Sequence, residues 1–172
     1  MTSFFKKLKE QGALIVNKTK TLGSTTEKQQ GVDFLMSYDK PPIYDNVVSM
    51  IGDNVSLLKT IFTYGDIIFN PNELNLTPDI VAHEKVHMDQ QGHNNHDAAL
   101  WWGRYLREPE FRLDQESKAY TKQYEWFCQH YKDRNQRAVY LNGLAKTLSS
   151  PLYGNLITQS DAYNLIKRYA KV

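Results

Sequence analysis

His83, Glu84 and His87 fall in the run His83-Glu84-Lys85-Val86-His87, inside a segment, Thr77 to Gln91, whose sequence reads as a helix. Positions four apart stack on one helical face, so the two imidazoles can close on a single metal ion with the glutamate beside them. This HExxH pattern is how one helix supplies two zinc ligands and a general base for hydrolysis. The chain holds five histidines; at that composition a chance match is expected on the order of once in a hundred such sequences, so the pattern is informative. A zinc ion there would bring the pKa of its water toward about 7, and Glu84 would take that proton and later return it to a leaving amine.

A hydrolytic zinc is normally held by three protein ligands, which leaves the fourth position for water. Glu116 is one candidate for the third. It lies with Leu113, Tyr120, Gln123 and Phe127 at three- and four-residue spacing, so a carboxylate interrupts a largely apolar face. Burying it is costly unless it is paired or bound to metal. The plainer reading is a solvated pair with Arg112, four residues before. His93 stands ten positions after His83, the spacing of the metzincin pattern HExxHxxGxxH. Gln90 occupies the place of that pattern's glycine, however, and no methionine follows Met88 to make the downstream methionine turn. Glu108 and Glu110 flank Pro109, where helix ends give both an ordinary surface role.

The chain has 172 residues, enough for one domain with a real core. Its 21 basic and 19 acidic residues leave a formal charge of +2, too little for the electrostatic footprint of a dedicated nucleic-acid binder. Cys128 is alone, so no intramolecular disulfide and no cysteine-rich zinc site can form, and histidine and carboxylate must hold any metal. Near the amino terminus the only compact apolar run is Ala13-Leu14-Ile15-Val16. A secretory signal needs roughly seven apolar residues or more and a spanning helix about twenty, so neither is expected and a cytoplasmic location is.

Residues 1–31 read as an amino-terminal arm and a polar linker, and residues 32–172 as the compact domain. From Asn17 to Gly31 large apolar side chains are almost missing. Phe4, Phe5 and Leu8 of the arm could dock on a protein partner or a membrane surface, or pack back on their own domain. Pro41-Pro42 precedes a helix to about Ile51. Thr60-Ile-Phe-Thr63 and Asp66-Ile-Ile-Phe69 flank Tyr64-Gly65 as a hairpin. Thr77-Pro78 gives the motif helix a hydroxyl N-cap and a proline in its first turn. Further helices are expected over 97–108, from Pro109 to about Tyr131, over 137–148, and from a Ser160 cap to Ala170. Trp101, Trp102 and Tyr105 form a helical stripe that suits a core better than a substrate platform.

The run HEKVH, the tryptophan-rich helix after it and Phe111-Arg-Leu-Asp-Gln-Glu116-Ser-Lys-Ala-Tyr120 resemble the gluzincin-type zinc metallopeptidases, especially small HExxH domains of tailed-phage and bacterial genomes. The resemblance covers roughly residues 60–124. It implies an α+β fold, a mostly helical zincin-like domain with a small antiparallel sheet beside the HExxH helix. It also implies zinc held by His83, His87 and Glu116, the last in the stretch Glu116-Ser-Lys-Ala119, with Glu84 as catalytic base on a protein or peptide substrate. In that family an edge strand binds the substrate main chain by strand addition, and Asp66 to Phe69 is the candidate. Tyr120 and Tyr124 are candidate donors to the oxyanion.

Two other classes remain. The chain could be a structural or assembly protein, such as a phage virion component, whose zinc ties helices together without hydrolysis; the detachable arm favours this, and the intact Glu84 favours catalysis. It could also resemble the HExxH DNA-repair proteases that use a later histidine, for which His96 is available, though the near-neutral charge speaks against it.

Overall fold

Proline and short polar side chains set most helix starts in this chain. The computed structural model describes residues 19–21, 24–29, 32–51 and 58–172, with side chains over 34–51 and 58–172. In order these form β1 (Thr19–Thr21), β2 (Ser24–Gln29), β3 (Val32–Ser37), α1 (Tyr44–Ile51), β4 (Phe62–Tyr64), β5 (Ile67–Phe69), α2 (Pro78–Gln90), α3 (Asn95–Arg107), α4 (Pro109–His130), α5 (Arg134–Leu148), a 3-10 turn (Pro151–Tyr153) and α6 (Gln159–Tyr169). Pro78 and Pro109 occupy the first turns of α2 and α4, where a missing N–H costs nothing. Asn94, Asp133 and Thr158 cap α3, α5 and α6 by accepting the backbone N–H of Asp97, Gln136 and Asp161. The last helix is thus capped by Thr158, not Ser160. Thr77 does hold the N-cap position of α2, but its hydroxyl makes no capping hydrogen bond.

The strands lie in the order β1-β2-β3-β5-β4. Their sheet is mixed rather than antiparallel, because β3 and β5 run parallel, with Leu35 opposite Ile67. Between them the chain passes through α1 and β4 and re-enters in the same direction, a crossover that a run of hairpins would not need. The stretch that reads as linker supplies β1 and β2, paired antiparallel to each other and to β3. Threonine suits a pleated strand even where no apolar alternation announces one. Residues 1–16, the expected arm, lie outside the described residues. Segment 66–69 contains β5, hydrogen-bonded to β3 on one side and β4 on the other, so it offers no free edge to a substrate. Among the described residues the free edges are β1 and β4, and β4 is the one hydrogen-bonded to α2 through Thr63. Gly65 opens the two-residue turn between β4 and β5 at φ +61°, the left-handed geometry that tight hairpins require.

Helix α2 is buried on two faces. Val81 and Met88 join Phe34, Met36 and Ile68 of the sheet in one apolar cluster, while His83 and His87 turn toward α4. The 22 residues of α4 span about 33 Å, and the helix serves two neighbourhoods. Tyr120, Tyr124 and Cys128 pack with Leu141, Leu144, Ala145 and Leu148 of α5 and with Ala162 and Ile166 of α6. Nearer its start it meets α3, whose Trp101, Trp102 and Tyr105 form a third core with Val47 of α1, Phe62 and Phe69. Helices dominate, in keeping with an α+β domain. No described helix is long and apolar enough to cross a membrane.

A Cβ added at Gly65 would sit 2.9 Å from Asn95 Oδ1 and force an L residue into positive φ. Gly65→Ala is expected to lower unfolding free energy by about 1–2 kcal/mol, read from a urea midpoint. Leu100→Ala, on the exposed side of α3, should stay within about 0.5 kcal/mol of wild type.

Candidate metal centre

The structure brings together His83, His87 and Glu116, one ligand atom from each lying within 4.8 Å of the others. The helical stagger of α2 stacks the two rings, with Nε2 of His83 3.1 Å from Nε2 of His87. Glu116 reaches across from α4, its Oε2 3.5 Å from His83 Nε2 and its Oε1 3.5 Å from His87 Nε2. All three side chains are buried.

Hydrogen bonds behind the rings decide which way their lone pairs point. Nδ1 of His83 faces Gln123 Oε1 at 3.1 Å, and Nδ1 of His87 faces Gln90 Oε1 at 2.8 Å. An amide oxygen only accepts, so the matching tautomer of each ring has the proton on Nδ1 and leaves the Nε2 lone pair for an ion. Gln90 is itself oriented by donating through Nε2 to the backbone carbonyl of Gln115. On the carboxylate, Oε1 accepts the Tyr105 hydroxyl at 2.7 Å while Oε2 is buried with no partner. In that tautomer two lone pairs and a buried carboxylate oxygen without a hydrogen-bond partner converge on one point, a donor set that a cation would satisfy. Tetrahedral coordination at ordinary zinc bond lengths separates ligand atoms by about 3.3 Å, close to the spacings seen. The donor set and its geometry fit a metal ion.

The alternative pairing of Glu116 with Arg112 is not formed. Arg112 is buried and donates to the backbone carbonyls of Tyr105, at 2.6 Å, and Tyr153, at 3.2 Å. Burial alone would push the Glu116 carboxyl up, but positive charge beside it, carried by His87 and then His83 when no cation is bound, together with the Tyr105 hydroxyl, holds it down at about 2. Glu84 is driven the other way. Burial pushes its carboxyl up to about 7, against the lowering influence of His87 and of the Thr63 hydroxyl. That hydroxyl, on β4, donates to Glu84 Oε2 at 2.8 Å. Two carboxyls in one site thus divide into a fixed anion and a group able to exchange a proton near neutrality.

These groups line a cavity of about 60 Å³, walled by α1, β4, α3 and the 3-10 turn. At roughly 10–15 Å³ per water, that is room for a few water molecules. The edge strand beside it is partly covered. The carbonyl of Thr63, at the centre of β4, accepts both Gln91 Nε2 and Trp102 Nε1, each at 3.0 Å, which uses both of its lone pairs. Gln91 also accepts the Gly65 N–H at 2.9 Å and so stands where another strand would pair. Strand addition on β4 is blocked at its middle residue in this conformation.

The remaining candidates lie elsewhere. His93 is exposed and bridges Asp66, at 2.6 Å, and Asp89, at 2.9 Å, tying the β4–β5 turn to the end of α2. Hydrogen bonds to those carboxylates raise its pKa. Glu108 pairs with Arg104 at the surface, and Glu110 and His96 are exposed. Tyr120 packs its ring on His83 and shares a hydrogen bond with Tyr153, whereas Tyr124 sits in the helical core. Of that pair it is Tyr153, not Tyr120, that lines the cavity. Thr63, Gln90, Gln91 and Tyr105 have supporting roles that no sequence pattern marked. Only the place of Gln91 at the end of the motif helix and the core stripe containing Tyr105 were visible.

Purified chain is expected to bind a single divalent ion, read by metal analysis and calorimetric titration with zinc. Glu116→Ala should weaken that binding by more than the roughly 10–100-fold typical of losing a residue behind a ligand; His93→Ala should leave it unchanged. Loss of the ion in the second variant and retention in the first would move the centre to the surface histidine. Set beside known proteins, the chain matches no family model, no curated protein and no solved structure, so its metal-site geometry stands on these residues alone.

Proposed function

We propose that the chain is a zinc-dependent hydrolase of peptide bonds, with His83, His87 and Glu116 holding the ion and Glu84 as general base. The observation that carries this reading is the position of Glu84. It is a second buried carboxylate on the same cavity, tied to Thr63 and standing outside the group that could hold the ion. An ion that only fastened helices would need no such group. Two imidazole nitrogens and one carboxylate favour zinc over the hard cations, which take oxygen ligands. When bound, zinc supplies Lewis acidity, lowering the pKa of a water toward about 7 and polarising a carbonyl.

The protein's own groups supply the rest. Oε2 of Glu84 is engaged by Thr63, which fixes the carboxyl plane and leaves Oε1 to take a proton and return it to the leaving amine. Tyr105 holds Glu116 through Oε1, which faces His87, and leaves Oε2 facing His83. The aromatic walls, Trp101, Trp102 and Tyr105, exclude bulk water and so strengthen every electrostatic interaction inside. The peptide bond as substrate class comes from the HExxH resemblance together with a proton-exchanging carboxyl.

A second reading is a metal site without turnover. The small cavity and the covered carbonyl of Thr63 favour it, because both leave little access for a polypeptide. Glu84→Gln separates the two. In the hydrolase the variant keeps zinc within a few-fold and loses about 10²–10⁴ in cleavage of a short-peptide library. If zinc raises the melting temperature of both proteins and neither cleaves any peptide offered, the structural reading replaces the enzymatic one.

A further inference from the structure

We propose that Gln123 is a positioning residue for this centre: pinned by Asp79 and Tyr140, its amide oxygen locks His83 in the tautomer that presents a bare Nε2 to the ion. The inference rests on His83 being a ligand, and it concerns three helices, since Asp79 opens α2, Gln123 lies in the middle of α4 and Tyr140 belongs to α5.

A glutamine amide can face either way, and the choice sets the polarity of whatever it touches. Here the carboxylate of Asp79 makes the choice. Its Oδ2 lies 3.0 Å from Gln123 Nε2 and also accepts the hydroxyl of Tyr140. The second amide hydrogen of Gln123 goes to the Tyr140 oxygen at 3.0 Å, closing a triangle in which every donor has an acceptor. With the NH₂ group committed to that side, only the amide oxygen can face His83 Nδ1. Nδ1 must then hold the proton. In the flipped amide an oxygen would lie against the Asp79 carboxylate, and His83 would carry its proton on Nε2, aimed at Glu116 and His87. Tyr140 is held in turn by stacking on Phe127, with ring centroids 3.8 Å apart and planes 6° from parallel. Polarity thus passes from a carboxylate at the start of α2 to the far nitrogen of a ring one turn further on, by way of a neutral side chain on another helix. Residues behind a metal-bound histidine set its orientation and ligand strength.

The test uses the full-length chain. Long-range ¹H–¹⁵N correlation of the metal-free protein reads the tautomer of His83 directly, and competition with a zinc chelator reads affinity. Wild type is expected to show the proton on Nδ1. Gln123→Met, of similar length but unable to accept, should show mixed tautomers and about 10–100-fold weaker zinc binding. The reversed pair Asp79→Asn with Gln123→Glu puts the amide on α2 and the acceptor on α4. It should restore the Nδ1 proton and bring affinity back to within a few-fold of wild type, which a purely structural role for Gln123 would not produce. A wild-type His83 protonated on Nε2 overturns the inference, as does a Gln123→Met variant with unchanged tautomer and affinity. Normal zinc uptake with no peptide cleavage overturns the hydrolase reading alone; a wild type that takes up no zinc overturns both.

Discussion

Two imidazole nitrogens that turn their lone pairs inward and one carboxylate oxygen repel one another when they are brought within about 3.5 Å in a buried site, and positive charge among them makes that arrangement favourable. Much of the surrounding architecture holds these atoms in place despite that repulsion. Apolar packing of Val81 and Met88 on the sheet fixes α2 from behind. The α4–α5–α6 core fixes α4 from its far end. Hydrogen bonds to Gln90, Gln123 and Tyr105 then leave each ligand one way to face. The stability of the fold comes from apolar burial on either side, and the centre is a polar seam between two cores.

Arg112 shows how the same seam is closed at its outer end. Its guanidinium sits over the Tyr105 ring and bonds to the carbonyls of Tyr105 and Tyr153, joining α3 to the 3-10 turn. It therefore helps to place both a residue that orients Glu116 and a residue that lines the cavity. An arginine suits this task because its planar fork donates in several directions while remaining charged.

The parts of the structure that were legible in the sequence follow from local periodicity. Two histidines four apart announce a convergent site because helix geometry alone stacks them, and burial energetics made Glu116 one of several candidates for the third place, with His93, Glu108 and Glu110 beside it. Helix starts at Pro78 and Pro109 were readable for similar reasons. What could not be read depends on contacts between distant segments. Gln91 is a helix-end residue by pattern, and only the folded hairpin turns its amide into a partner for Thr63 and Gly65. Gln123 carries no charge to betray it. Strands β1 and β2 are polar on both faces, so no alternation marks them, and the parallel pairing of β3 with β5 is a matter of chain path. A pair of Glu116 with Arg112, the plainer local alternative, is absent because Arg112 spends its donors on backbone carbonyls.

Helix α4 crosses from the polar seam into the core it shares with α5 and α6 without a break, and its axial register is therefore strongly specified. Sliding it one turn, about 5.4 Å, would bring either Arg112 or Tyr120, its neighbours four residues away, to the position of Glu116. A guanidinium there would face two rings with no anion, and a phenol would leave them no carboxylate at all. At the other end the same slide would drag Cys128 and Tyr124 out of their contacts with α5 and α6. Small ratcheting steps, which let many packed helices move past one another, are closed to this one, so the rod serves as a fixed axle of the fold.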